Sequence, residues 1–316
     1  MQKKDFLDNF EKIRKINKQR LVEWVKEKCN LTISTEFLFD VMVKRIHEYK
    51  RQLLNLLYVI HRYYWIKRLK PEERSQVVPR VTMIGGKAAP GYTAAKSIIK
   101  LIHDVAKVIN NDKEVDNLLK LVFLPNYSVS NAEIIIPATD LTQQISTAGT
   151  EASGTGNMKF AMNGGLIIGT MDGANIEIAK HIGKDNMYAF GADDKAILKY
   201  RQLMREGKKD YVPKQIRDVI NAILDNKFGD SKEISPMLKK ILNGEDFYCL
   251  CWDFLSYCEA QAKVDEDYKN KELWYRKSIL SIARMGHFSS DRSILEYALN
   301  IWDAKPVPVP LPQVLN

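Results

Sequence analysis

Apolar and polar positions along this 316-residue chain follow two different periods. In residues 1–28, Phe6, Phe10, Ile13, Leu21 and Trp24 fall roughly on one helical stripe, with lysines between them. That spacing predicts a leading helix within 1–30, its apolar stripe turned inward and its lysines in water. "FLFDVMV" (37–43) is a short, nearly continuous apolar run of the kind a buried strand requires. The Leu-, Ile- and Tyr-rich stretch beyond it predicts a helix to about Lys67. "VTMI" (81–84), "LVFL" (121–124), "LIIG" (166–169) and the weaker "MYAF" (187–190) repeat the strand pattern, with a helix from about Thr93 to Ile109. "TDLTQQISTAGT" (139–150) is too polar to read as a strand. From about 192 to 303 the pattern is helical, and residues 304–316, ending "KPVPVPLPQVLN", predict an extended proline-rich tail. Strands separated by long helices give βαβ units, hence an α/β fold with a parallel, Rossmann-like sheet and flanking helices.

Composition narrows the classes. No run approaches the roughly 20 apolar residues of a membrane span, and no signal peptide opens the chain. Four cysteines lack C-x-x-C spacing, and His47, His61, His103, His181 and His287 lack metal-ligand spacing. The expectation is a cytoplasmic protein with no metal and no disulfide framework. The net charge of +9 is concentrated in residues 1–74, which hold eighteen Lys and Arg against ten Asp and Glu. Such an excess offers a surface to anions, nucleic acid among them. Aromatic residues do not interleave with the basic ones as a nucleic-acid platform requires, so a solvated helix face is the better reading and no nucleic-acid partner is expected.

Ligands of an open parallel sheet gather at the carboxyl ends of its strands. Three stretches fall there: "KRIHEYK" (44–50), "GGKAAPGY" (85–92) and "TEASGTGNMKFAMNGG" (150–165). In the last, Ser153, Gly154, Thr155 and Gly156 precede a short helix, so their backbone N–H groups can converge on an anion. Lys159 lies one turn further on, among Met158, Phe160 and Met162, where desolvation would make it an amine nucleophile. A phosphate cradle beside such a lysine suits pyridoxal phosphate. Spacing alone leaves open the plainer reading of a helix cap followed by a snorkelling lysine. A dinucleotide fingerprint is weak here, because Lys159 stands where the third glycine belongs. "GGKAA" likewise lacks the spacing of a Walker loop.

Lys44 and Arg45 leave the first strand, and Lys50 follows; together these cations can hold one or two phosphates. Helical spacing does not put Lys44 and Lys50 on one face, so a shared target requires a non-helical turn at 44–46. Arg51 reads as a solvated helix start. "GTMDGANIEIA" (169–179) reads locally as a tight D-G turn followed by a helix bearing Glu177.

"EASGTGNMKFAMNGGLIIGTMDGANIE" resembles the pyridoxal-phosphate signature of the glycogen and starch (α-glucan) phosphorylases over its whole length. "FDVMVKRIHEYKRQLLN", "IGGKAAPGY", "IPATDLTQQISTAGT" and "FSSDRSILEYALNIW" resemble further blocks of that family in the same order. The resemblance runs from about residue 36 to 303 and implies the second, C-terminal domain of a two-domain enzyme of the glycosyltransferase-B type. It makes residues 1–303 a partial cofactor domain and the chain a C-terminal fragment. The implied reaction is cleavage of the non-reducing end of an α-1,4-glucan by inorganic phosphate, giving α-glucose 1-phosphate with retention. In that family the 5'-phosphate of the cofactor passes the proton.

Residue by residue, Lys159 resembles the lysine that carries the cofactor ring, and Lys44 the lysine near its phosphate. Thr155, Gly154 and Gly156 resemble the phosphate cradle, and Tyr127 a tyrosine lining the cofactor site. Arg45 and Lys50 resemble ligands of the substrate phosphate. Glu151, Ser153 and Gly154 match positions that hold glucosyl hydroxyls, and Tyr92 an aromatic at the cleft mouth. Ser128 stands where a larger residue is usual, and Gly165 where alanine is. The resemblance also implies a missing N-terminal domain as partner, a homodimer for the full-length protein, and little activity for the fragment alone. The alternatives are a pyridoxal-phosphate enzyme of amino-acid metabolism, lacking here the Asp or Arg ring partner it would need, and a non-catalytic module binding anions or nucleic acid.

Overall fold

The computed structural model describes residues 3–209, 211–305 and 307. Helix α1 (Lys3–Cys29) precedes β1 (Leu38–Val43), and a 3-10 turn (Glu48–Lys50) leads into α2 (Gln52–Arg68) and the short α3 (Pro71–Arg74). There follow β2 (Arg80–Gly85), α4 (Thr93–Asn111), β3 (Leu119–Leu124), α5 (Val129–Ala138), β4 (Leu141–Gln144), α6 (Gly156–Met162), β5 (Leu166–Thr170), α7 (Ala174–Ile182) and β6 (Met187–Phe190). The remainder is helical: α8 (Asp194–Arg205), α9 (Lys214–Leu224), α10 (Ser235–Leu242), α11 (Leu250–Lys269), α12 (Lys271–Arg284), a 3-10 turn (Met285–Phe288) and α13 (Ser290–Tyr297). All but a few residues of the proline-rich tail lie outside the described residues. Among the described residues no helix is long and apolar enough to cross a membrane.

The six strands are all parallel, in the order β3-β2-β1-β4-β5-β6. Both faces are covered, which is why the strands are apolar on both sides. Leu38 and Met42 of β1 pack into the core shared with α2, α4 and α11, whereas Phe39, Val41 and Val43 face α1 and α5. Each fully buried apolar side chain contributes about 1.5–3 kcal/mol, so these two layers carry the fold.

Two expectations fail here for physical reasons. The polar segment 139–150 does contain a strand, β4, in the middle of the sheet. Its polar side chains are buried because partners await them: Gln143 Nε2 donates to Asp40 Oδ1 at 2.7 Å and accepts at Oε1 from the Tyr257 hydroxyl at 2.7 Å. The leading helix, too, docks through only part of the expected stripe, Leu21 and Trp24. Its buried face is Arg14, Lys18, Leu21 and Val25, while Phe6 and Ile13 are exposed. Lys18 Nζ reaches Asp140 Oδ2 at 2.7 Å, and Arg14 Nη1 donates to the Pro137 carbonyl at 2.8 Å. The surface beneath α1 presents a carboxylate and open carbonyls, and cations from the helix supply the counter-charge and donors that they need.

Candidate active site

Strand order reverses between β1 and β4, the switch point where crevices open in such sheets. These two strands pair over only Asp40 with Leu141 and Val41 with Thr142, so their carboxyl ends are free to diverge. The gap holds a cavity of about 460 Å³ lined by Val43, Lys44, Gln144 and Ser146 from the strand ends. Lys50, Tyr127, Glu151, Asp172, Asn175 and the 153–159 segment complete its wall.

The turn after β1 is non-helical, as a common target for Lys44 and Lys50 requires. Lys44 N donates to the Gly85 carbonyl at 3.0 Å and Ile46 N to the Lys87 carbonyl at 3.1 Å, so the turn lies against "GGKAAPGY". A Cβ on Gly86 (φ 152°) would sit 1.8 Å from the Lys44 carbonyl oxygen, so only glycine allows this approach. The Lys44 ammonium donates to Gln144 Oε1 at 2.8 Å. Burial, with the Lys50 charge nearby, pushes its pKa down to about 8. Lys50 pairs with the Glu151 carboxylate. Burial opposes its charge, but Glu151 and Tyr49 outweigh that and hold its pKa above the ordinary value.

Asp172 organises the opposite wall. Its Oδ1 accepts from Gly149 N at 3.0 Å and its Oδ2 from Glu151 N at 2.9 Å and Thr150 N at 3.3 Å. The three bonds fold the 149–151 loop so that Glu151 faces Lys50. Gly173 (φ 48°) lets the loop close, because a Cβ there would lie 2.1 Å from the Glu151 carbonyl oxygen. Asn175 Nδ2 donates to the carbonyls of Gln144 (3.1 Å) and Thr170 (3.0 Å), and its Oδ1 accepts from Asn157 Nδ2 at 2.9 Å. The entry to α6 is thereby fastened to the ends of β4 and β5.

At that entry, Gly154 adopts φ 147° and Thr155 caps α6 without using its hydroxyl. The backbone N–H groups of Gly154, Thr155, Gly156 and Asn157 have no acceptor among the described residues. Unpaired donors at a helix start, facing a cavity that also holds Lys44 and Lys50, are the chemistry of a phosphate site. The Lys159 ammonium has no partner among the described residues and lines this cavity and a neighbouring one with Met158, Met162 and Phe288. Cradle and lysine fit pyridoxal phosphate.

Most of the anticipated residues therefore converge: Lys44, Lys50, Tyr127, Glu151, Ser153, Gly154, Thr155, Gly156 and Lys159 all line one cavity. Tyr127 is half-buried, and burial raises its pKa. Arg45 is exposed and Tyr92 stands outside this wall, its hydroxyl donating to Glu48 Oε2 at 2.6 Å. Lys159 is exposed rather than desolvated: Phe160 is buried in the layer beneath α1 and α5, and Met158 and Met162 are only partly buried. Arg51 is fully buried, contrary to a solvated helix start. It is αL (φ 62°), and its guanidinium reaches Asp253 Oδ2 at 2.6 Å and the Ile145 carbonyl at 2.7 Å beneath the site. Residues distant in sequence also meet elsewhere: the fold brings His181 and His287 together with Glu177. The sequence reading overlooked Asp172, Asn175, Asn157, Gln144 and Ser146. Asp172 and Asn175 lie in the polar run that follows "LIIG", which marks a strand rim without saying which side chains turn inward, and Gln144 and Ser146 lie in the segment too polar to read as a strand.

The model of a family described as carbohydrate phosphorylase matches residues 1–304. The chain is 51% identical over 310 residues to glycogen phosphorylase 2 of Dictyostelium discoideum, covering 97% of this chain and 31% of that protein. It is 47% identical over 299 residues to the cytosolic alpha-glucan phosphorylase 2 of Arabidopsis thaliana, covering 93% and 35%. Against the glycogen phosphorylase of Haemophilus influenzae the identity is 48% over 313 residues, covering 97% and 37%. The chain thus spans about a third of the length of the curated relatives it matches.

Proposed function

The chain belongs to the carbohydrate phosphorylase family, and on that premise we propose that it is the cofactor-bearing part of an α-glucan phosphorylase. The reaction is phosphorolysis: inorganic phosphate takes the non-reducing-end glucosyl unit of an α-1,4-glucan, giving α-glucose 1-phosphate with retention. The observation that carries this reading is the row of unpaired N–H groups at 154–157, sharing one cavity with Lys44, Lys50 and Lys159.

When bound, pyridoxal phosphate supplies a phosphate group able to exchange a proton with the substrate phosphate. The 154–157 donors and the Thr155 hydroxyl hold that group, and Lys159 carries the ring. Lys44 and Lys50 neutralise two adjacent phosphates that would otherwise repel. Glu151, with Ser153, accepts from sugar hydroxyls, and its pairing with Lys50 keeps it aimed. Arg45, already in solvent at the rim, is a mobile ligand for the incoming phosphate, and Tyr92 flanks the approach.

The same reading gives glucan and inorganic phosphate as substrates, a homodimer as the assembled enzyme and an N-terminal domain as the other wall of the cleft. Residues 1–303 then form part of one cofactor domain, and turnover requires more of the protein than these residues. The cytosolic Arabidopsis relative supports a cytoplasmic setting. Borohydride reduction in the presence of pyridoxal phosphate, followed by peptide mapping, tests the core of the proposal. A pyridoxyl adduct on Lys159 is expected; label confined to other lysines would sink the assignment. In the full-length protein, Lys159→Ala is expected to abolish glucose 1-phosphate release.

A further inference from the structure

Glu177 and His181 stand four residues apart on α7, on one face of the helix. His287, in the 3-10 turn after α12, comes from the other side, and its Nε2 lies 3.0 Å from Glu177 Oε1. The His181 and His287 rings stack with centroids 4.1 Å apart at 16°. One donor atom from each of the three residues lies within 4.8 Å of the other two. None of them belongs to the cavity at the sheet rim, so the phosphorolysis chemistry leaves them unexplained.

We propose that Glu177, His181 and His287 form a binding site for a divalent transition metal of the zinc class. Two imidazoles and one carboxylate are a donor set that zinc accepts with a water as fourth ligand, whereas magnesium and calcium favour oxygen donors throughout. A tetrahedral ion with bonds of about 2.1 Å spaces its donors about 3.4 Å apart, and the two rings turn out of their stack to aim their in-plane lone pairs at it. The ion takes the place of any proton shared by His287 Nε2 and Glu177 Oε1, and that proton passes to solvent.

The backbone under the site is already fixed. Ile178, Ile182 and Met285 pack in one buried cluster, Arg284 Nη1 donates to the Ile182 carbonyl at 2.9 Å, and Arg292 donates to the His287 carbonyl. The partly exposed side chains remain open to an ion from solvent. Bound metal would staple α7, whose first turn bears Asn175, to the segment that flanks Lys159 through Phe288.

Zinc chloride titrated into the chain, against a chromophoric chelator, provides the test. One ion per chain is expected, with affinity reduced about tenfold or more by His181→Ala and by His287→Ala, less by Glu177→Gln, and unchanged by His103→Ala at an exposed histidine elsewhere. Zinc should raise the melting temperature of the wild type and of His103→Ala but not of His181→Ala, with circular dichroism checking that each variant is folded. Cobalt substitution separates this site from the four cysteines, because it should show nitrogen and oxygen ligation only. Thiolate-to-cobalt charge-transfer bands, binding that survives the double histidine variant, or no binding at submillimolar zinc would each overturn the proposal.

Discussion

The Asp172 carboxylate holds the backbone N–H of Glu151 at 2.9 Å, and so a residue 21 positions away decides where the acid of the cavity points. Asp172→Ala removes all three acceptor contacts to the 149–151 loop. Hydrogen bonds to a charged group are worth about 1.5–3 kcal/mol each, so the loop should lose its fixed position while the sheet stays folded. Pyridoxal phosphate affinity, followed by the absorbance of the bound cofactor, is expected to fall about tenfold or more. Asp172→Asn, with one oxygen left to accept, should fall between. Unchanged affinity in the alanine variant would show that the loop holds itself.

Lys44 sets a pH dependence whose sign differs between folding and binding. Its pKa in the folded protein is pushed down to about 8, from an ordinary 10.5. Between those values the folded chain binds fewer protons than the unfolded chain, so Lys44 makes stability rise with pH across this window. An anion in the cavity favours the charged lysine, so binding takes up a proton above pH 8. Affinity for inorganic phosphate, after allowance for the phosphate's own titration, should therefore weaken as pH rises through about 8. Lys44→Met should bind more weakly and lose this slope, a comparison that calorimetry at several pH values would decide.

Asp140 anchors α1 to the sheet through Lys18 and Arg14, all three buried. Burial alone would raise its pKa, but the two cations more than offset it and leave the pKa below the usual carboxylate range. Its contribution is thus present at neutral pH and is lost as pH falls below about 4. Asp140→Asn leaves two buried cations without their counter-charge and is expected to cost about 3–5 kcal/mol in urea unfolding. If α1 is the part released, its amides should lose hydrogen-exchange protection before those of β1. Uniform loss across the sheet would instead make α1 integral to one cooperative unit.

The layout of the sheet was legible because burial on both faces produces apolar runs that no surface element imitates, as at 81–84 and 121–124. The cavity was legible wherever glycine and cation spacing reflect local backbone geometry, as at 153–159 and 44–50. What escaped detection depends on partners distant in sequence. Gln143 is strand-forming only because Asp40 and Tyr257 meet it, and Lys18 is an inward residue only because Asp140 lies across from it. Polarity marks a side chain as costly to bury, and only the tertiary fold supplies the group that removes the cost. Arg51 is the sharpest case, since it opens the buried helix α2 and its ligands are some 94 to 202 residues away.

Arg51 and Asp253 therefore offer a test of how the site floor is supported. Both side chains are fully buried, and the guanidinium also bonds the Ile145, Ser146 and Cys249 carbonyls, tying β4's exit to the start of α11. Arg51→Met strands a buried carboxylate and frees those carbonyls, so a loss of about 3–5 kcal/mol is expected. Arg51→Lys keeps the charge but not the planar fork, and should recover only part of it. The double variant Arg51→Met with Asp253→Leu removes the stranded charge and should be more stable than Arg51→Met alone. Denaturant unfolding of the wild type, Arg51→Met, Asp253→Leu and the double variant closes the cycle and gives the coupling directly. Additive losses would mean that the pair acts through packing and not through charge.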